Sequence, residues 1–228
     1  MASLFPPNHG PLLPNFSSLL VKGPYPSACP LNLALSFPNP DRSIIILACS
    51  SRENSGNSLR ASLQGLKLTG KISAQTERMK IFYPPTAAHM ALLLSSLQVI
   101  DTDKPFPFAV HDTPTTNSAY SPHLLKPPGP LLVIIHELSA YFINSTQPSS
   151  TSSSYLSLLA RALSVTSRLG ASIAIFDAHV NHLKMPVHLD SNPHLERLQA
   201  VAPLLENYIE LVLDFSDSNQ PSRKNMFN

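Results

Sequence analysis

At 228 residues the chain has room for one domain, or one domain with tails, and 43% hydrophobic residues suffice for a substantial core. A net charge of +2 is too small to imply a nucleic-acid partner, any basic surface having to be local, and no apolar run approaches the ~18–20 residues of a membrane span. Charged residues, at 13%, are about half the usual share, and the 23 prolines about twice the usual share; this predicts a globular core interrupted by uncharged Pro/Ser-rich loops.

Residues 1–17 read as a flexible lead. The opening MASLFPPNHG has no basic stretch and is broken by prolines, so no signal peptide is expected and the chain reads as soluble and intracellular. Ser18 to Lys22 is a short strand candidate that runs into Gly23-Pro24-Tyr25-Pro26-Ser27-Ala28-Cys29-Pro30. Leu31 to Phe37 makes two helical turns, with Pro30 suited to the first-turn position and Pro38 and Pro40 as a stop. Ile44 to Cys49 is a continuous apolar run and hence a buried strand. The two cysteines, Cys29 and Cys49, read as buried thiols in a reducing compartment; two alone make no disulfide framework. Ser50 to Gly70 is polar and reads as a loop around a short helix, and Met79 to Tyr83 as a third strand closed by Pro84-Pro85.

Thr86 is an N-cap for a helix over Ala87 to Leu97. Residues 101–130 carry seven prolines and no periodicity, and read as a disordered insertion. Leu131 to Glu137 (LLVIIHE) follows. Five apolar residues without alternation predict a strand buried on both faces at the centre of a parallel sheet, ending in the polar pair His136 and Glu137. The amphipathic stretch Tyr155 to Leu169, capped by Ser153 or Ser154 and ended by Gly170, leads into a strand over 172–176. Strand, helix and strand make a βαβ unit, and open α/β sheets place their chemistry at the carboxyl ends of such strands. Arg161 and Arg168 share one polar stripe of the helix. Leu195 to Ala202 reads as helical until Pro203. Ile209 to Phe215 alternates, which predicts an edge strand with one wet face, and 216–228 reads as a polar tail.

In this order of elements, residues 18–215 resemble the RecA-like ATPase core of the recombinase family. Leu19-Leu20-Val21-Lys22-Gly23 enters what looks like a phosphate loop, and Leu131 to Glu137 resembles the Walker B strand. Tyr155 to Phe176 is similar to the helix and strand that follow it. Met79 to Tyr83 with the helix 86–97 resembles a segment of short recombinase paralogues, among them the small ATPase-like partner of a SWIM-domain protein in Shu-type complexes. The resemblance implies an α/β fold, a RecA-like P-loop core with a mostly parallel sheet flanked by helices. It also implies a degenerate nucleotide site at Gly23, Ala28, Cys29, Pro30, His136 and Glu137.

A working phosphate loop needs inward backbone N–H groups, a lysine and a hydroxyl residue. Here Ala28, Cys29 and Pro30 stand where the second glycine, the lysine and the hydroxyl belong. Pro24, Pro26 and Pro30 each lack an N–H. His136 replaces the Walker B aspartate and is a poor Mg²⁺ ligand. Glu53 falls where the family keeps its catalytic glutamate. The expectation is a pseudo-ATPase with no catalytic residue, no ATP or Mg²⁺ and no resident metal. Glu137 has a plain alternative role, a strand-end carboxylate held by a neighbouring backbone amide.

His179, His182, His188 and His194 beside Asp177 have metal-like spacing only in part, and a solvated loop accounts for them as well. In recombinases the loops after the Walker B strand and after the following strand face DNA. This makes Lys184 a candidate phosphate contact and Tyr141 and Phe142 candidate base-stacking residues, with packing against the sheet end as the alternative for both rings. The resemblance implies a nuclear, structural subunit of a complex that promotes homologous recombination repair and recombinase filament assembly on single-stranded DNA. Its partners would be a SWIM-domain protein or recombinase paralogues, with no membrane. Two other classes fit the same residues: an accessory RecA-fold subunit of the Elongator type, and a weak P-loop ATPase.

Overall fold

The strand runs of the sequence form one parallel sheet whose two faces are both covered. A computed structural model describes residues 2–6, 9–39, 41–49, 76–99, 124–125, 129–143, 150–187 and 198–215. The strands are β1 (Ser18–Lys22), β2 (Ser43–Ala48), β3 (Met79–Phe82), β4 (Gln98–Val99), β5 (Leu124–Leu125), β6 (Pro130–His136), β7 (Ser172–Asp177), β8 (Lys184–Pro186), β9 (Leu198–Ala200) and β10 (Leu211–Asp214). The α-helices are α1 (Cys29–Ser36), α2 (Ala87–Ser96), α3 (Ala140–Ile143), α4 (Ser152–Arg168) and α5 (Ala202–Glu206).

Six strands make the central sheet in the order β10-β1-β7-β6-β2-β3, every neighbouring pair parallel. Strand β6 has a partner on each side. Leu132 and Ile134 pack on the face covered by α1, while Val133 and Ile135 pack on the face covered by α2, α4 and α5. Burial on both faces is why this run does not alternate in polarity. β10 lies at the sheet edge, as expected, but the wet face is not seen: Leu211 and Leu213 pack towards one face and Val212 packs against the core on the other.

From β1 the chain crosses over α1 to β2, skipping two strands in one direction. From β6 to β7 over α4, and from β7 to β10 over α5, it travels the opposite way over the opposite face. Opposite directions on opposite faces give crossovers of the same hand, as parallel sheets require. The connections of the neighbouring strands β1 and β7 therefore part above the sheet, opening a crevice at their carboxyl ends. That is where α/β folds bind ligands.

The N-terminal stretch departs from the flexible lead expected of 1–17. Ala2, Leu4, Leu13 and Phe16 are buried in the α1 face, Asn32 Nδ2 donates to the Leu4 carbonyl at 3.1 Å, and Ser3 N donates to Ser36 Oγ at 2.8 Å. These apolar side chains are spaced by prolines without helical or strand period, so burial needs no regular element here. Most of the expected insertion 101–130, the polar loop 50–70 and the tail 216–228 lie outside the described residues. Within the insertion Leu124–Leu125 pairs in parallel with Gln98–Val99.

Two ends differ from the sequence reading. The cap of α4 is Thr151, whose side chain accepts from Ser154 N at 3.3 Å, in place of Ser153 or Ser154. Of the helix expected over 195–202, residues 195–197 lie outside the described residues, and Pro203 does not stop it. Pro203 sits in the first turn of α5, where a missing N–H costs nothing, and Leu198–Ala200 before it pairs antiparallel with β8. At the end of α4, Gly170 takes φ 61°, the left-handed conformation that closes a helix.

The cap difference is measurable. Thr151→Ala should lower stability by about 1 kcal/mol, whereas Ser153→Ala, at an exposed site, should change it by less than about 0.5 kcal/mol. Urea midpoints at constant slope compare the two.

Candidate functional site

The crevice is built from three strand ends. After β1 the chain turns at Gly23, whose φ of 82° suits glycine. The turn is internally bonded: Tyr25 N donates to the Gly23 carbonyl at 2.8 Å and Cys29 N to the Pro26 carbonyl at 2.9 Å. With Pro24, Pro26 and Pro30 lacking N–H groups, five of the eight residues 23–30 have no amide to offer an anion.

The loop points a side chain inward instead. The ring of Tyr25 lies edge-on to Phe176, with centroids 5.4 Å apart, and to His136, at 6.3 Å. Its hydroxyl donates to Glu137 Oε1 at 2.5 Å. Burial, then the neighbouring Glu137, hold the Tyr25 phenol well above its ordinary range, so it is a donor at all ordinary pH.

At the end of β6, His136 remains in the sheet and is 7% exposed. Its carbonyl accepts from Cys49 N at 2.9 Å, while its Nδ1 has no partner. Burial lowers its pKa to about 4, so the ring is neutral at pH 7. Glu137 steps out of the strand at φ 60°, a left-handed conformation costing a non-glycine residue about 1 kcal/mol. Its N–H donates to the Phe176 carbonyl at 2.7 Å. Oε1 also accepts from Ala178 N at 3.4 Å, and Oε2 is buried without a partner. Burial, with the nearby Asp177 charge, raises the Glu137 carboxyl above its ordinary range. The backbone-amide role expected for Glu137 is thus present, joined by the Tyr25 hydroxyl.

At the end of β7, Asp177 is fully buried. Oδ2 accepts from Ser139 N at 2.8 Å and from the Tyr155 hydroxyl at 3.3 Å. Oδ1 accepts from Ser139 Oγ at 2.5 Å and His179 N at 3.2 Å. Asp177 therefore joins the turn after β6 to β7 and to α4. Sequence reasoning placed it only beside the histidines. The available signal was an acid closing the apolar run SIAIFD, as His136 and Glu137 close LLVIIHE.

Of the expected nucleotide-site residues, Gly23 follows β1 and His136 and Glu137 end β6, with β7 between the two strands; Tyr25, two residues after Gly23, makes the contact with His136 and Glu137. Ala28 precedes α1, and Cys29 and Pro30 form its buried first turn. Cys29 carries a thiol that burial pushes up to about 11, which supplies no cation. Lys22, directly before Gly23, turns toward the sheet edge and pairs with Glu206 at 2.7 Å and Asp214 at 2.8 Å. Glu53 lies outside the described residues.

The candidate DNA contacts occupy the turns beyond β6 and β7. Tyr141 donates to the Pro84 carbonyl at 2.6 Å, and Phe142 lies against Tyr155 with centroids 5.1 Å apart. Both rings pack at the sheet end. Lys184 is exposed on β8, and His179 and His182 are exposed nearby. His188 and His194 lie outside the described residues. Among the described residues no group of three or more His, Cys, Asp or Glu is placed to hold a metal ion. Arg161 leaves its stripe to reach Ser95 Oγ at 3.0 Å, bridging α4 to α2. A separate groove of about 470 Å³ runs beside α4, lined by uncharged residues including Leu156, Val187, Leu204 and Tyr208.

Among the described residues no helix is long and apolar enough to cross a membrane. No model of a known protein family matches the chain, and a search of curated proteins finds no match.

The neutral imidazole of His136 has a measurable consequence. Its folded pKa, about 4, lies below the unfolded value of 6.5, so the stability it allows is complete above pH 6.5 and is lost as pH falls toward 4. Between pH 7 and pH 4.5, His136→Gln should lose about 2 kcal/mol less than the wild-type chain, read from urea unfolding at both pH values. Equal losses in the two chains would contradict the buried, neutral ring.

Proposed function

We propose that this chain is a non-catalytic, RecA-like recombinase paralogue. It serves as a structural subunit of a nuclear complex that promotes homologous recombination repair and recombinase filament assembly on single-stranded DNA. The observation that carries the non-catalytic reading is the β1–α1 turn: where a phosphate loop would hold an anion, this turn seats the Tyr25 ring against Phe176, His136 and Glu137.

Three further features support it. The groups that meet Tyr25 at the strand ends are Phe176, the neutral His136 and Glu137, none of them a cation for a polyphosphate. The lysine nearest the turn is held by two carboxylates at the sheet edge. The parallel sheet, with β7 lying between β1 and β6, is compatible with a RecA-like core. The subunit role, the SWIM-domain or recombinase partner and the nuclear setting rest on the sequence resemblance. With a net charge of +2, contact with single-stranded DNA would come through the assembled complex.

Two experiments test this. Titration with Mg²⁺ and ATP should give no binding up to about 1 mM and no hydrolysis; micromolar binding abolished by a Gly23 or Glu137 substitution would overturn the non-catalytic reading. Affinity purification from the native cell should recover a SWIM-domain protein or a recombinase paralogue. Recovery of Elongator subunits in their place would overturn the assignment to recombination.

A further inference from the structure

Helix α1 carries two polar side chains that covering the sheet does not require. Asn32 is 8% exposed, and a buried amide needs a hydrogen-bond partner. Its Nδ2 donates to the Leu4 carbonyl at 3.1 Å. One turn on, Ser36 Oγ accepts from Ser3 N at 2.8 Å and donates to the Ser3 carbonyl at 2.9 Å. All three bonds go to main-chain atoms of the N-terminal stretch, while the side chains of Ala2, Leu4 and Leu13 are buried in the α1 face. Main-chain hydrogen bonds beside apolar side-chain sites are how proteins hold a bound peptide.

The stretch that α1 holds closes on itself. Ser3 and Leu12 form an antiparallel bridge, and Leu13 N donates to the Ala2 carbonyl at 2.8 Å. Phe5 N donates to Ser3 Oγ at 3.1 Å, and the Phe5 ring lies against Gly10, where any Cβ would overlap it. The arms 2–6 and 9–13 thus make a hairpin bonded within itself that does not join the central sheet. The chain is anchored next at Phe16, whose ring lies edge-on to Phe37 with centroids 5.8 Å apart and whose carbonyl accepts from Ser172 Oγ at 3.0 Å. Between Leu13 and Phe16 stand only Pro14 and Asn15, both exposed. Pro14 favours an extended backbone at Leu13 over a tight turn.

We propose that the Asn32–Ser36 face of α1 is a receiving surface for this hairpin and that two copies of the chain exchange it, each seating its residues 2–13 on the α1 of the other, with Pro14-Asn15 as the hinge. Residues 1–16 contain no Asp, Glu, Lys or Arg, so the second copy brings no charge of these residues to the buried face. Trading one identical element both ways closes the pair with two-fold symmetry. The contacts of the hairpin are the same in both forms, so the linker sets the balance between them. A short linker holds the chain's own hairpin at an effective concentration in the mM range, and the exchanged dimer becomes populated as the chain approaches that concentration. The exchange requires neither the crevice nor a recombination partner.

Equal amounts of ¹³C,¹⁵N-labelled and unlabelled full chain, unfolded together in urea and refolded at about 1 mM, test the exchange. Isotope-filtered nuclear magnetic resonance should show cross-relaxation between Ser3 of one copy and Ser36 of the other. Light scattering should show a species of twice the mass of one chain, whose share rises with the refolding concentration. In Leu4→Asp, which puts a charge on the buried arm, that share should fall about tenfold or more. No cross-relaxation between copies, or a dimer undiminished in Leu4→Asp, would overturn the proposal. If Leu4→Asp does not fold, the mixed-label spectrum decides alone.

Discussion

Everything else in this structure is subordinate to the burial of β6 on both faces. A strand with a helix layer above and below can tolerate polar groups only at its two ends. The amino end is closed by Arg42, whose guanidinium reaches the carbonyls of Pro130 at 2.6 Å and Gly170 at 3.0 Å, tying the start of β6 to the approach of β7. The carboxyl end gathers His136, Glu137 and, from the next strand, Asp177. Burial taxes charge at each of these positions, and each answers differently. His136 is neutral, Asp177 is saturated with donors, and Glu137 leans on a tyrosine from a third element. The site is thus a by-product of the sheet: parallel order brings three strand ends together, and desolvation decides their protonation.

That logic explains which parts were legible in the sequence. Continuous apolar runs such as IIILAC and LLVIIHE announce doubly covered strands because no other soluble environment accepts them, and four of the six sheet strands, β1, β2, β6 and β7, are such short apolar runs bounded by polar or turn residues. The alternating IELVLDF marked the edge for the same reason. Gly23, His136 and Glu137 were singled out by position after such runs, and the turn that starts at Gly23 does reach the other two, through Tyr25. Tyr25 was missed because the residues around it were weighed only for what they lack: lysine, hydroxyl and amides. A ring that fills the vacancy has no motif. Asp177 was passed over because a strand-end acid looks solvent-bound until the serine and tyrosine that bond it, 38 and 22 residues away in sequence, are brought beside it. The buried N-terminal stretch and the starting role of Pro203 depend on tertiary packing that local propensity does not encode.

For function, the consequence is a crevice in the usual place for α/β chemistry whose floor is occupied by the protein's own side chain. The Tyr25 ring packs on Phe176 and its hydroxyl is hydrogen-bonded to Glu137, so the turn after β1 spends its inward side chain on the protein's own strand ends. The turn is internally bonded and short of amides, so moving Tyr25 aside would not by itself create an anion site.

The central claim is that Tyr25 and Glu137 interact directly and hold the crevice closed. A double-mutant cycle with Tyr25→Phe, Glu137→Gln and the pair, read as unfolding free energy at neutral pH, tests it most directly. The structure predicts a coupling of about 1–2 kcal/mol between the two positions. Effects that add within about 0.3 kcal/mol would contradict it, because two side chains that share no interaction cannot close the crevice together.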